Sequence, residues 1–244
     1  MKEFLYGRNA VYETLRAKRR DVFSLQVADG AQEKGKLKEI IESAIQRNLT
    51  VARVPRAVLD KIHLNHQGVV LEASGYPYAE LTDVFELAES RGEPLFVLLL
   101  DTLNDPQNFG ALLRTAEAVG VHGVVIPLRQ TVTVTPAAVN ASSGASEHLL
   151  IAQANLHQAI QALKDAGAWV VGLDEGPDSS GPSEVRLDGA LALVVGSEGE
   201  GIRPLVKSNC DFLLRLPMRG QIESLNAAVA GSVALYLAYL SRPK

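Results

Sequence analysis

The 244-residue chain contains a single cysteine, Cys210, so an internal disulfide and a cysteine-based metal site are both excluded. It also has no apolar run close to the ~18 residues that a membrane-spanning helix needs. The first six residues, Met1-Lys-Glu-Phe-Leu-Tyr6, form too short and too charged a segment for a signal peptide. These absences predict a cytoplasmic protein. Cys210 is predicted to be a buried free thiol and not a nucleophile.

Composition is that of a globular protein, with 47% apolar and 21% charged residues, and the length suits one large or two modest domains. Charge is distributed unevenly. Residues 1–76 carry 13 Lys/Arg against 9 Asp/Glu, whereas residues 77–244 carry 11 against 19. A basic first part on an acidic body indicates an anionic partner for the first part. Its densest segment, Arg16-Ala-Lys18-Arg19-Arg20, is equally compatible with a solvated helix end.

The first 76 residues alternate between helical and strand patterns, which predicts a small α/β layer. Helices are predicted at 9–16, 35–48 and 57–62, and strands at 22–27, 50–54 and 69–73. Residues 77–93 are predicted to be a linker that carries an acidic helix, 81–90, ending near Gly92.

From Pro94 onward the pattern predicts a mostly parallel sheet covered by helices. The segment 95–100 is apolar on both faces, as expected of a buried parallel strand. Further strands are predicted at 123–126, 149–152, 169–173, 191–195 and 212–216. Helices are predicted at 109–119, 136–141, 156–166 and 224–240, with Ser224 as the N-cap of the last one.

Three polar loops follow strands of this second part, and ligands of open α/β sheets bind outside the carboxyl ends of strands. The first loop, 101–110, leads into a helix that carries Arg114. The second is Gly196-Ser-Glu-Gly-Glu-Gly201, and the third covers 218–226. Arg114 either pairs with Glu117 or Asp105, or grips a phosphate with its always-charged guanidinium.

The second loop has a glycine spacing that differs from those of dinucleotide-binding and phosphate-binding loops. It also carries Glu198 and Glu200 and no lysine, so a pyrophosphate would meet two carboxylates. A cationic or zwitterionic ligand suits it better, and a flexible surface turn is the alternative.

Together the three loops resemble the three signature motifs of the SpoU/TrmH methyltransferases. The matching residues are Asn108-x-Gly110-x-x-x-Arg114, Gly196 to Gly201, and Leu216-Pro-Met-x-Gly-x-x-x-Ser224-Leu-Asn226. The family transfers a methyl group from S-adenosylmethionine to a ribose 2′-hydroxyl of RNA. Ala227-Ala228 departs from the more usual Val-Ser of the family but leaves Ser224 and Asn226 intact.

The resemblance covers nearly the whole chain. Residues 1–76, with Tyr6-Gly-Arg-Asn-Ala-Val and His66-Gln-Gly-Val, are similar to an L30e-like RNA-binding domain. Residues 94–244 are similar to the methyltransferase domain of the SPOUT class, whose C-terminal trefoil knot is implied by the resemblance alone. Ser143-Gly-Ala-Ser-Glu147 fits the subgroup that methylates a guanosine of bacterial 23S rRNA.

The resemblance also implies roles for individual residues. The implied catalytic set is Arg114, Asn108, Glu198, Ser224 and Asn226, and the implied cofactor-binding set is Gly196, Leu216, Leu225, Met218 and Gly201. RNA contacts are expected from Arg8, Arg16, Lys18, Arg19, Arg20 and His66. S-adenosylmethionine is the only cofactor implied, and no metal is needed.

The last helix is apolar around much of its circumference, which suits a dimer interface and a helix packed deep inside its own domain equally. The resemblance implies a homodimer through the C-terminal domain. Two alternatives remain open from the sequence. One is the same reaction on tRNA or on another rRNA nucleotide. The other is a catalytically silent RNA-binding factor of ribosome assembly.

Overall fold

The computed structural model describes residues 2–197, 199–222 and 224–242. Contacts within the chain define two compact units: Met1–Pro77 with Thr133–His148, and Tyr78–Val132 with Leu149–Lys244. The predicted boundary after residue 76 lies next to the observed division at Pro77. Residues 133–148 were expected in the second domain, but they group with the first unit.

The first unit is built on a four-stranded mixed sheet with the order β1-β4-β2-β3. Its strands are β1 (Lys2–Tyr6), β2 (Val22–Ala28), β3 (Thr50–Val54) and β4 (Val69–Ser74). Strand β4 pairs antiparallel with β1 and β2, and β2 pairs parallel with β3. Strand β1 was not predicted, because three of its five residues are polar or exposed and its pattern carries little periodicity.

Helices of the first unit are α1 (Arg8–Ala17), α2 (Lys36–Gln46) and α3 (Arg56–Asp60). The later segment adds α6 (Pro136–Ala141) and a 3-10 turn, Ala145–His148. Helix α2 buries Leu37, Ile40, Ile41 and Ala44, the face that helical spacing predicts. The predicted α/β character of this part is confirmed.

The second unit contains six strands in the order β10-β8-β9-β5-β6-β7, and every neighbouring pair is parallel. The strands are β5 (Phe96–Leu100), β6 (Gly123–Pro127), β7 (Ile151–Ala154), β8 (Trp169–Leu173), β9 (Leu191–Val195) and β10 (Phe212–Leu214). All residues of β5, β6 and β9 are buried, as expected of parallel strands covered on both faces. The predicted parallel sheet is confirmed.

The helices of this unit are α4 (Leu81–Arg91), α5 (Pro106–Ala118), α7 (Leu156–Asp165), α8 (Pro204–Lys207) and α9 (Ala227–Ser241). Helix α4 lies within the predicted linker and ends at Gly92 in the left-handed conformation. Within residues 2–197, 199–222 and 224–242, no helix combines the length and apolar character required to cross a membrane.

Two helix starts differ from the prediction by three residues, and both differences follow from capping. Helix α5 begins at Pro106, because the Asp105 carboxylate accepts hydrogen bonds from the backbone of Gln107 and Asn108. Asn108 therefore lies in the first helical turn and not in the loop. Helix α9 begins at Ala227, and its N-cap is Asn226 and not Ser224, since the Asn226 side chain accepts from the backbone of Ala228 and Val229.

Candidate active site at the strand ends

A cleft of about 780 Å³ opens at the carboxyl ends of β8, β9 and β10. Its volume lies within the range of small-molecule and cofactor sites, roughly 300–1,000 Å³. The cleft is lined by Leu173, Asp174, Glu175, Gly176, Val195, Gly196, Ser197, Gly199, Glu200, Gly201, Leu214, Leu216, Met218, Ser224, Leu225, Asn226, Ala227 and Ala230.

The loop after β9 closes on itself through its backbone. Ser197 N donates to Gly201 O at 3.0 Å, and Gly201 N donates to Ser197 O at 3.1 Å. A Cβ atom at Gly196 would come within 2.1 Å of the Gly201 carbonyl carbon, so this position requires glycine. Gly199 and Gly201 have φ angles of 88° and 67°, which other residues rarely adopt.

The first and third polar loops meet where α5 and α9 begin. Asn226 Nδ2 donates to Asn108 Oδ1 at 3.1 Å, while the Asn226 carbonyl-type oxygen caps α9. Further along, the hydroxyls of Thr115 and Ser232 lie 2.9 Å apart. A Cβ atom at Gly231 would lie 2.5 Å from Leu112 Cδ2, so glycine permits the close approach of the two helices.

The cleft is acidic. Asp174, Glu175 and Glu200 line it, and no lysine or arginine does so among the residues for which the structure gives positions. Burial acts to raise the pKa of Asp174, but hydrogen bonds from Lys207, Gly176 and Ser179 outweigh it, so the pKa lies below its usual value. The loop after β8 is therefore folded around the ionised carboxylate of Asp174. An ionised carboxylate at the cleft favours a cationic or zwitterionic ligand.

All five residues implied to bind the cofactor, Gly196, Gly201, Leu216, Met218 and Leu225, line this one cleft. Ser224 and Asn226 of the implied catalytic set line it too. Asn108 is joined to the site through Asn226, whereas Arg114 lies on an exposed face of α5. Glu198 lies outside the described residues. The roles of all these residues stay predictions.

Sequence reasoning missed the contribution of the loop after β8. Leu173, Asp174, Glu175 and Gly176 line the cleft, although none of them was predicted to belong to the site. A signal was present, because Asp174-Glu175 directly follows an apolar strand. The strand-end rule that selected the other three loops would have selected this one.

Two of the residues predicted to contact RNA, Arg20 and His66, have buried side chains. Arg20 donates to both Glu147 carboxylate oxygens at 2.8 and 2.9 Å and to Glu3 Oε2 at 2.7 Å, and its side chain has no exposed surface. Burial disfavours the charged form, but the two carboxylates outweigh it and raise the pKa of Arg20. His66 Nδ1 accepts from Gly68 N at 2.9 Å, and its Nε2 lies 3.0 Å from Asp60 Oδ1.

The other predicted RNA contacts differ in exposure. Arg16 and Lys18 are exposed, and Arg16 lies 3.4 Å from Glu13. Arg19 is half-buried and donates to the Tyr76 hydroxyl at 2.9 Å, and Arg8 Nε donates to Gln67 O at 3.2 Å. Arg16 and Lys18 are therefore the cations of this group best placed to meet a phosphate.

Cys210 is partly buried, somewhat less than predicted. Its thiol lies 3.5 Å from the Val206 carbonyl oxygen, and burial raises its pKa to about 12. The thiol is therefore protonated at neutral pH, which disfavours nucleophilic chemistry, as expected.

Comparison with known protein families identifies the class of protein to which the chain belongs. Residues 4–79 match the family described as RNA 2′-O ribose methyltransferase substrate binding, and residues 95–236 match the SpoU rRNA methylase family. The two matches define an RNA 2′-O-ribose methyltransferase with an N-terminal domain that binds its RNA substrate. The chain belongs to the SpoU rRNA methylase family.

Full-length similarity to individual proteins supports this membership. The chain is 44% identical over 245 aligned residues to YacO of Bacillus subtilis (strain 168), which is assigned to the TrmH family of tRNA/rRNA methyltransferases; the match covers 98% of this chain and 96% of YacO. The acceptor RNA of the class is therefore tRNA or rRNA.

Two solved structures share the fold. The AdoMet-bound rRNA methyltransferase of Sinorhizobium meliloti has a TM-score of 0.79 at 24% identity, covering 97% of this chain and 86% of that one. The SpoU methyltransferase AviRb of Streptomyces viridochromogenes, in complex with the cofactor AdoMet, has a TM-score of 0.80 at 21% identity, covering 98% and 90%. Both likenesses extend over the two units described above.

Proposed function

We propose that the chain transfers the methyl group of S-adenosylmethionine to the ribose 2′-hydroxyl of a guanosine in 23S rRNA, the reaction of the bacterial enzyme RlmB. The observation that carries the cofactor assignment is the cleft at the strand ends, where all five implied cofactor residues meet. The guanosine and the 23S rRNA rest on the sequence resemblance, chiefly on Ser143-Gly-Ala-Ser-Glu147.

The charge of the cleft favours S-adenosylmethionine over nucleotides with phosphate groups. The cofactor carries a sulfonium and an ammonium group against one carboxylate, so it has a net positive charge. Glu175 and Glu200 attract such a ligand, while a dinucleotide would bring two phosphates to the same carboxylates. Lys207 Nζ lies 2.8 Å from Asp174 Oδ2 and offsets that charge, but no lysine or arginine is among the described lining residues beside Glu175 and Glu200.

Titration calorimetry tests the cofactor assignment. S-adenosylmethionine is expected to bind, and NAD is expected to show no heat of binding at the same concentrations. Binding of NAD without binding of S-adenosylmethionine would refute the proposal.

Catalysis requires that the ribose hydroxyl, the methyl group and the sulfur be aligned and that the hydroxyl proton be removed. We assign alignment and charge stabilisation to Arg114, which lies six residues beyond Asn108 on α5, or about 9 Å along the helix. A guanidinium keeps its proton at neutral pH, so an RNA phosphate or a water molecule accepts the hydroxyl proton. Asn108, Glu198, Ser224 and Asn226 form the surrounding hydrogen-bonding set.

The choice of RNA is tested by mapping ribose methylation in cells. Deletion of the gene is expected to abolish one 2′-O-methylguanosine of 23S rRNA, and restoration of the gene is expected to restore it. Loss of a tRNA methyl group would establish the tRNA alternative instead. Unchanged methylation of all RNAs would favour a catalytically silent assembly factor.

The domain limits form part of the proposal: 1–76 as the RNA-binding domain, 77–93 as a linker and 94–244 as the knotted methyltransferase domain. Residues 133–148 contact residues of the RNA-binding domain, so cutting the chain after residue 76 would break these contacts. Glu147 bonds Arg20, and Asn140 Nδ2 donates to Tyr6 O at 3.1 Å. Deletion of 1–76 alone would leave Glu147 unpaired, so a cleaner truncation also replaces 133–148 by a short linker.

We further propose a homodimer formed through α9. The helix buries mostly small residues, Ala228, Gly231, Ala234 and Ala238, besides Leu235. Its large apolar residues point outward instead: Val229, Val233, Tyr236 and Leu240, spaced by four, three and four positions, are 41–71% exposed. Such a stripe is costly to leave in water, and a second copy of the same helix would cover it.

Sedimentation equilibrium at micromolar concentration measures the dimer directly. The intact chain is expected to sediment at twice 26.2 kDa, and Val233→Glu with Tyr236→Glu is expected to sediment as a monomer. The same pair of substitutions at the exposed Gln158 and Gln161 of α7 serves as a control. A monomeric intact chain that still methylates RNA would contradict the proposal.

A further inference from the structure

One buried residue, Asp101, contacts both ends of the loop between Gly196 and Gly201, through its backbone N at the first end and through its carboxylate at the second. Asp101, which directly follows β5, has no exposed surface. Its backbone N donates to Val195 O at 2.8 Å, the residue just before the loop. Its carboxylate accepts from Arg203, two residues past the loop: the distances are 2.9 Å from the backbone N, 2.7 Å from Nε and 2.6 Å from Nη2.

For the described residues of the loop, few other contacts fix its position. Glycines at 196, 199 and 201 make its backbone conformationally free in the unfolded chain and costly to order. Within the loop, the two hydrogen bonds between Ser197 and Gly201 close the ring but do not attach it to the sheet. Ile202, which is buried, and the Asp101 contacts provide the attachment.

A buried carboxylate is costly unless charge and hydrogen bonds compensate it. Nε and Nη2 of Arg203 both lie against Oδ1 of Asp101, and the backbone N of Arg203 donates to Oδ2, so both carboxylate oxygens have a partner. Neither Asp101 nor the Arg203 side chain lines the cleft. Any effect of the pair on the cofactor must therefore pass through the loop.

We propose that Asp101 and Arg203 are positioning residues that hold the Gly196–Gly201 loop in its cofactor-binding conformation. The inference rests on the proposed binding of S-adenosylmethionine in this cleft. Weakening the ion pair between Asp101 and Arg203, called the clamp below, should raise the Kd and the KM for S-adenosylmethionine. The KM for RNA and the kcat at saturating cofactor should stay nearly unchanged. A displaced loop loses contacts with the cofactor before it affects the RNA side of the site.

The chain offers a matched control at the other end of the same sheet. Asp211 Oδ2 accepts from Val170 N at 2.8 Å, and its Oδ1 accepts from Lys164 Nζ at 2.6 Å. This carboxylate also joins a backbone N–H and a cation, but Asp211 lies just before β10 and bonds the start of β8, away from the cleft. Asp211→Asn and Lys164→Ala therefore report the loss of a comparable structural ion pair.

Calorimetry and steady-state kinetics on full-length Asp101→Asn, Arg203→Ala, Arg203→Lys and the double variant provide the test. Asp101→Asn and Arg203→Ala should each raise the Kd for S-adenosylmethionine about tenfold. Arg203→Lys should recover part of the loss, because it restores the charge. The double variant should bind no more weakly than the worse single variant, since both remove the same clamp.

The experiments distinguish failure of the positioning role from failure of the proposed cofactor binding. An unchanged Kd in Arg203→Ala, with a melting temperature lowered as in Asp211→Asn, would overturn the positioning role. Arg203 is the deciding site if Asp101→Asn does not fold, because its side chain is 43% exposed and can be truncated without a buried cavity. Absence of S-adenosylmethionine binding by the unaltered chain would overturn the proposed function instead.

Discussion

The cleft of the second unit and the basic surface of the first were predicted from different kinds of signal. The structure agrees with the first prediction better than with the second. Seven predicted residues, identified by motifs at strand ends, line one cleft. The RNA contacts were identified by counting cations, and two of the six, Arg20 and His66, are buried. Strand ends converge because parallel topology requires it, whereas charge alone does not determine which side chain faces solvent. Three predictions test this difference, and a fourth concerns the pH dependence of stability.

The largest expected effect comes from Arg20. Glu147→Gln and Arg20→Met should each lower the free energy of unfolding by ~3–5 kcal/mol, because each leaves a buried charge or polar partner uncompensated. RNA affinity of the folded fraction should stay unchanged, since the guanidinium is not available to RNA. Urea unfolding and RNA binding on the same samples measure both quantities. A selective loss of RNA affinity at normal stability would restore Arg20 as an RNA contact.

Arg114→Ala should reduce methyl transfer by ~10²-fold or more, as for other losses of a transition-state contact. Affinity for S-adenosylmethionine should change by only a few-fold, because Arg114 does not line the cleft. Single-turnover rates and calorimetry provide the readouts, with Arg186→Ala, an exposed arginine paired to Asp188, as the control. Near-normal turnover would make Arg114 an ordinary residue of the helix surface.

Arg16→Ala and Lys18→Ala should weaken RNA binding several-fold at low salt and leave stability nearly unchanged, since both side chains are exposed. Each phosphate contact that is lost should reduce the slope of log K against log salt concentration by roughly one. Fluorescence anisotropy at several salt concentrations measures this slope. Lys38→Ala on α2, an exposed lysine paired with Glu42, is the control, and an equal loss there would indicate only a diffuse charge effect.

The smallest effect concerns pH. Burial lowers the pKa of His122, whose Nδ1 accepts from Phe96 N at 3.0 Å. As pH falls below the unfolded value of ~6.5, the unfolded chain takes up the proton first, so the free energy of unfolding decreases until the pH reaches the lower folded pKa. His122→Gln should flatten this decline in urea unfolding between pH 7 and 5, while exposed His157→Gln should not. Identical slopes in all three proteins would contradict the assignment.

Much of the fold followed from periodicity. The strands 50–54, 169–173 and 191–195 were predicted at the bounds that the structure gives. The predicted start of α9 was wrong, because Ser224 and Asn226 are both good N-cap residues. Only the hydrogen bonds from the backbone of Ala228 and Val229 to the Asn226 side chain distinguish them. The edge strand β1 was not predicted because its sequence carries no clear apolar pattern. Several of its residues are exposed or partly exposed to solvent, and exposed positions need not be apolar.

The sequence by itself determined the family, the parallel sheet and the loops that carry the site, because motifs and hydrophobic periods are local properties of the chain. The tertiary structure alone decided which cations are exposed, that Asp174 joins the cleft, and that 133–148 groups with the first unit. It also decided that Asp101 clamps Arg203, 102 residues away along the chain. These outcomes depend on which distant residues become neighbours, and residue type and spacing carry little information on that point.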